Sequence, residues 1–212
     1  SSRGRPSPIE LAAVSVAKQL FSAISFMHDN DIVHRDIKPS NLMFENEQTL
    51  LLIDFGTVTR HPMARYTGMI GTPRYASPEQ LSEKILTPLS DQFSMGATLY
   101  FILLNKRPFD SRERQTLMRP SLIDPSVPTH LERILLKCMA PNPEDRFESI
   151  EEMMLELNRV VPSDQPLAGR EEVIQQIAQC LQRVHQGEQV HINIVSSMLK
   201  KLDLNIEDYE CG

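Results

Sequence analysis

Within one stretch, His34-Arg35-Asp36-Ile37-Lys38-Pro39-Ser40-Asn41, the chain sets a carboxylate, an ammonium group and a carboxamide at intervals of two and three residues. A second carboxylate follows in Asp54-Phe55-Gly56. A carboxylate within reach of a hydroxyl can accept or orient its proton, with a typical benefit of about 10²–10⁴-fold. Aspartate and asparagine oxygens suit a hard divalent cation that keeps part of its water shell. A lysine adds a point charge for an anionic group. A proton acceptor, oxygen ligands and a cation are the parts that phosphoryl transfer requires, because positioning and charge neutralisation lower that barrier more than covalent help does. Taken singly, each residue has a plainer reading: His34 as a packed core histidine, Asp54 as a turn former before Gly56, Lys38 as a solvated charge.

The elements that must position these groups can be read on either side of them. From residue 9 to about residue 29, Ala13, Val16, Leu20, Ile24 and Met27 recur at spacings of three and four and predict a long core-facing helix. Residues 31–33, 42–44 and 50–53 are short strand-like runs, the last two joined by a polar stretch into a hairpin. Residues 56–78 have no sustained period and predict a long functional loop. Helix resumes over 90–104, where Phe93, Gly96, Ala97, Tyr100 and Leu104 share a side, and stops before Arg107-Pro108-Phe109. Residues 110–128 carry Pro120, Pro125 and Pro128 and read as irregular. Thr129 and Glu132 predict a capping box for a helix presenting Leu131, Ile134, Leu135 and Cys138. A helix over 148–161 turns Ile150, Met153, Met154 and Leu157 inward, and 162–168 reads as a linker.

In order and spacing, H-R-D-x-K-x-x-N followed by D-F-G resembles the catalytic loop and metal-binding motif of the Hanks-type serine/threonine protein kinase family. The resemblance covers residues 9–161 and implies a mainly α fold, the helical C-terminal lobe of a kinase with short β-hairpins. It implies that Asp36 meets the proton of the substrate hydroxyl, that Lys38 meets the γ-phosphate of ATP, and that Asn41 and Asp54 hold Mg²⁺. Lysine two residues after the aspartate resembles the serine/threonine branch. His34, Phe55 and Gly56 take structural places beside these groups. Gly71-Thr72-Pro73-Arg74-Tyr75-Ala76-Ser77-Pro78-Glu79 resembles the end of an activation segment, with Ser77-Pro78-Glu79 where the family often has A-P-E. That glutamate would pair with Arg146, and Asp91 would brace the catalytic loop, with a plain helix N-cap as its simpler reading. Arg35 implies control by activation-loop phosphorylation, with Thr67 as the first candidate, Thr57 and Thr59 behind it, and Thr72 on the substrate side near Asp36 and Lys38.

A family member also needs a glycine-rich loop, a strand lysine and an adenine hinge, and the polar residues 1–8 are too few to hold them. The expectation is a catalytic lobe whose cleft face is covered by an N-terminal lobe or by a partner. The alternative is a non-catalytic kinase-like interaction module. Residues 169–212 form an extension in which Val173, Ile177, Cys180, Leu181 and Val184 make an amphipathic helix, followed by a strand-like run over 190–195 and further helix. No phosphate-binding G-x-x-x-x-G-K-[ST] follows that run. A net charge of -6 offers no basic footprint for nucleic acid. No apolar run is long enough for a membrane span, and three separated cysteines point to a reducing compartment, so the chain reads as cytoplasmic. The partners expected are protein substrates and ATP.

Overall fold

The computed structural model describes residues 8–45, 49–60, 72–82, 86–109 and 117–159. Helix α1, Pro8–Asp29, buries Ala13, Val16, Leu20, Ile24 and Met27, the stripe that the sequence spacing predicts. Phe21, Ala12 and Ala17 widen the buried side. Asp31 ends the helical stretch in a left-handed turn, φ 58°, which aspartate tolerates better than most residues. Two short antiparallel pairs follow. In the first, β1 (Ile32–Val33) pairs with β4 (Thr59–Arg60), with Val33 opposite Thr59. In the second, β2 (Leu42–Phe44) pairs with β3 (Leu50–Leu52), with Leu42 opposite Leu52. A single 3₁₀ turn, Pro39–Asn41, precedes β2.

The remaining elements are helical: α2 (Pro78–Leu81), α3 (Pro88–Leu104), α4 (Pro120–Ile123), α5 (Thr129–Cys138) and α6 (Ile150–Asn158). Helix α3 is buried around most of its circumference and is the central post of the fold, packing against α1 and α5. Helix α6 lies on α1 and α5. Gly96 is what lets α3 approach α5: a Cβ there would stand 2.7 Å from the Cβ of Cys138 and 3.0 Å from Cγ of Met139. Cys138 is fully buried and its thiol is pushed up to about 12, so it is an unreactive packing group.

Several sequence expectations are corrected. The 56–78 stretch is not wholly loop, since Thr59 and Arg60 complete a strand pair with β1 and Pro78 opens α2. The 110–128 stretch contains α4, begun by Pro120 at a position where its missing N–H costs nothing. Thr129 and Glu132 form no capping box. The N-cap is Pro128, and the carboxylate of Glu132 instead accepts the backbone N–H of Ser121 at 2.7 Å. A reciprocal capping box occurs at α2, where Ser77 Oγ accepts from Gln80 N and Gln80 Oε1 from Ser77 N. Helix α6 starts later than predicted because Ser149 caps it, accepting the N–H of Glu152 at 3.3 Å. Met154, expected inward, is only partly buried. Residues 1–7, the 162–168 linker, the 169–212 extension and Thr67 lie outside the described residues.

Candidate active site

Two backbone conformations that side chains usually avoid lie at this site: Arg35 has φ 71° and Asp54 φ 63°. Both are left-handed, which costs about 1–2 kcal/mol for a residue with a Cβ, so the surrounding bonds must hold them. For Arg35 those bonds come from α3. Asp91, fully buried in its first turn, accepts the backbone N–H of His34 and of Arg35, each at 2.8 Å. The same carboxylate meets Nε2 of His28 at 2.9 Å. Asp91 is not the N-cap of α3, whose cap is Thr87. Two further bonds fasten the loop: Gln80 donates its side-chain N–H to the carbonyl of Arg35, and Thr98 Oγ1 donates to the carbonyl of Ile37 at 3.3 Å. Arg35 Nε donates to the carbonyl of Thr57, while Thr57 Oγ1 donates to the carbonyl of His34 at 2.9 Å.

This anchoring presents Asp36 to one shallow cluster. Its Oδ1 accepts the backbone N–H of Thr72 at 2.9 Å, and its Oδ2 stands 3.2 Å from Lys38 Nζ. Lys38 Nζ also donates to Thr72 Oγ1 at 3.1 Å, so one ammonium group bridges the loop aspartate and the returning segment. Asn41 Nδ2 donates to the carbonyl of Asp36 at 2.8 Å and lies 3.4 Å from its Oδ2. The amide oxygen of Asn41 takes no part in these bonds. The carbonyl of Asn41 accepts the N–H of Ile53, which ties the 3₁₀ turn to the strand that leads to Asp54. Asp54 is exposed, and its Oδ1 accepts the N–H of Gly56 at 3.1 Å.

His34 sits behind this face, fully buried, with its ring edge-on to Phe55 at 5.4 Å. Burial lowers its pKa, outweighing the raising effect of the carboxylates of Asp91, Asp36 and Asp54. The ring is therefore neutral. Its Nδ1 accepts the N–H of Asp36 at 3.3 Å, which assigns the ring proton to Nε2. That role, ordering the backbone at Asp36, is structural.

Farther from Asp36, Glu79 and Arg146 form a buried bidentate pair with N···O distances of 2.7 and 2.9 Å. Arg146 also donates to the carbonyls of Ala140, Leu89 and Pro141. Glu79 has a lowered pKa: burial pushes it up, but the hydrogen bonds and charge of Arg146 outweigh burial. A third bond to Glu79 comes from Ser90 Oγ at 2.9 Å.

Of the residues singled out from sequence, Asp36, Lys38, Asn41 and Thr72 meet in one hydrogen-bonded cluster, and Asp54 stands apart on an exposed turn. His28, Gln80 and Thr98 escape a sequence reading as site residues, and Thr57 enters it only as a phosphorylation candidate. The available signal was their polarity: each interrupts an apolar stretch or sits beside a motif residue, and a buried polar group needs a partner.

Oxygen donors of the kind Mg²⁺ accepts are present in the carboxamide of Asn41, within the cluster, and in the exposed carboxylate of Asp54 beside it in sequence order, and their chemistry fits that ion. Among the described residues no group of three or more His, Cys, Asp or Glu could hold a metal alone. Nor is any helix of the described residues long and apolar enough to cross a membrane.

Comparison with known proteins agrees with the geometry. The protein kinase domain family matches residues 8–186. The serine/threonine-protein kinase PrkC of Bacillus subtilis is 32% identical over 164 residues, covering 72% of this chain and 25% of the relative. The serine/threonine-protein kinase PknB of Mycolicibacterium smegmatis is 32% identical over 172 residues, 74% of this chain and 28% of the relative. PknB of Mycobacterium tuberculosis H37Rv is 31% identical over the same span. The chain thus spans about a quarter of the length of these curated relatives. A loop aspartate bridged by lysine to a returning threonine, on a mostly helical frame that matches this family over most of its length, places the chain in the Hanks-type serine/threonine protein kinase family.

Proposed function

We propose that residues 9–161 are the catalytic lobe of a serine/threonine kinase that transfers the γ-phosphoryl group of ATP to serine or threonine hydroxyls of protein substrates. The observation that carries this reading is the convergence of Asp36, Lys38 and Thr72: a carboxylate, a cation and a returning backbone N–H within hydrogen-bond reach of one another. Asp36 Oδ2 takes or orients the proton of the incoming hydroxyl, while the Thr72 N–H on Oδ1 fixes the direction of the carboxylate. Lys38 lies where it can turn from Asp36 towards an anionic group. Asn41 and Asp54 would hold Mg²⁺, which when bound supplies neutralising charge to the nucleotide phosphates. Thr72, hydrogen-bonded to both loop residues, borders the place where the acceptor side chain enters. Glu79, Arg146 and Asp91 act through structure, holding the segment and the loop in position.

The test is transfer of labelled γ-phosphate in Mg²⁺-ATP by this chain joined to a kinase glycine-rich lobe, which supplies the grip on the nucleotide that these residues do not contain. Transfer to serine or threonine is expected, with Asp36→Asn and Asp54→Asn each lowering the rate by at least about 10²-fold. Undiminished transfer in either variant overturns the reading.

A further inference from the structure

The peptide group between Arg35 and Asp36 is held at both of its ends by side chains. Its carbonyl accepts the side-chain N–H of Gln80, and its N–H donates to Nδ1 of the buried His34 ring at 3.3 Å. A peptide plane is rigid and turns only about the bonds that flank it, so its tilt fixes φ of the residue that follows. That residue is Asp36, and the tilt sets the direction in which its carboxylate leaves the chain. The preceding residue, Arg35, has φ 71°, a conformation that persists only where the surroundings determine it.

Helix α2 places Gln80 for this contact. The residue is 1% exposed and stands at N3, where its Oε1 accepts the N–H of Ser77 at 3.3 Å while its own backbone N–H goes to Ser77 Oγ at 3.2 Å. With Oε1 turned to Ser77, Nε2 is turned to the loop. The chain leading into α2 meets the loop one residue further on, since Thr72 N–H reaches Asp36 Oδ1 at 2.9 Å. One stretch, residues 72–80, thus fixes Asp36 twice: Thr72 holds the carboxylate, and Gln80 holds the backbone that carries it. An amide suits the second contact because it donates without a charge, and a charge so deeply buried would require a partner.

We propose that Gln80 is a positioning residue for Asp36: its amide sets the tilt of the Arg35–Asp36 peptide and, through it, the aim of the carboxylate. The catalytic consequence rests on the phosphoryl-transfer reading above, whereas the geometric assignment does not.

The test is amide hydrogen exchange at Asp36, followed by NMR on the full 212-residue chain. Gln80→Met keeps the length of the side chain and removes the donor to the Arg35 carbonyl. Exchange at Asp36 is expected to become about tenfold faster, the effect of one buried hydrogen bond lost, with the amides of α3 unchanged. Gln80→Leu is read in the same way, so that the outcome does not hang on how one side chain packs. Ser77→Ala weakens the cap of α2 but leaves the donor in place, and Asp36 should then exchange near the wild-type rate. Equal exchange in wild type and both Gln80 variants overturns the proposal. So does an equal acceleration in Ser77→Ala, which would reduce Gln80 to a part of the cap. In the chain joined to a glycine-rich lobe, Gln80→Met is expected to lower kcat about tenfold or more and leave KM for ATP at the wild-type value. A raised KM with unchanged kcat overturns the positioning role. A wild-type joined chain that transfers no phosphate counts against the kinase reading instead, and the exchange data of the unjoined chain still decide the assignment of Gln80.

Discussion

Two buried anionic side chains, Glu79 and Asp91, are satisfied in different ways. Glu79 has a full cationic partner, whereas Asp91 is held by two backbone N–H groups and one imidazole. Removing the partner of Glu79 should therefore be severe, because an uncompensated carboxylate stays behind in a dry site. Arg146→Met is expected to cost about 3–5 kcal/mol in urea unfolding. The pH dependence follows from the lowered pKa of Glu79, whose ordinary value is 4.5. A carboxyl with a depressed folded pKa stabilises the fold above its ordinary value, and that stability is lost as pH falls through the folded value. Without Arg146 the two largest lowering influences are gone, and burial, opposed only by the remaining hydrogen bonds, moves the pKa of Glu79 upward. The stability gap between wild type and Arg146→Met should accordingly narrow as pH falls from about 5 to about 3. A gap that stays constant across that range would show that Glu79 is not the titrating group.

Among the elements, α1 and α3 were legible in sequence because each is a long run in which many apolar residues recur at helical spacing, so a single exception does not erase the signal. The β2–β3 hairpin was legible for a similar reason. The short pieces were not. Strand β4 holds two residues, Thr59 and Arg60, and exists through pairing with Ile32 and Val33, far away in sequence. Helix α4 is a single turn after Pro120, too brief to show a period. The Thr129–Glu132 pattern failed because a capping box competes with every other donor near the glutamate, and here Ser121 N–H wins. At the site, the motif residues were legible as a set, while the residues that hold them, His28, Gln80 and Thr98, depend on packing between helices that no spacing reveals. One element-level test concerns the α3–α5 contact. Gly96→Ala gains about 1 kcal/mol of helix propensity, but it forces a Cβ against a second Cβ at 2.7 Å, and neither atom can swing aside. Overpacking of about 1–3 kcal/mol should win, leaving a lower midpoint in denaturant. A raised midpoint would mean that α5 slides away at little cost.

For the molecule as a whole, the core and the site share one support. The segment His34–Arg35 is suspended by its backbone N–H groups from Asp91, and Asp91 belongs to the best-buried helix of the lobe. In the chain joined to a glycine-rich lobe, loss of the proposed phosphate transfer and loss of helicity are therefore expected at one temperature, with no separate, earlier inactivation step. Activity vanishing well below the helical melt would refute that coupling. The same suspension makes the melting curve an instrument. Any compound that grips the Asp36–Thr72 face acts on the global unfolding equilibrium, worth about 2.7 kcal/mol at a hundredfold excess over its Kd. Occupancy of the site can then be read by simple thermal shift, with neither a substrate nor an assay of turnover.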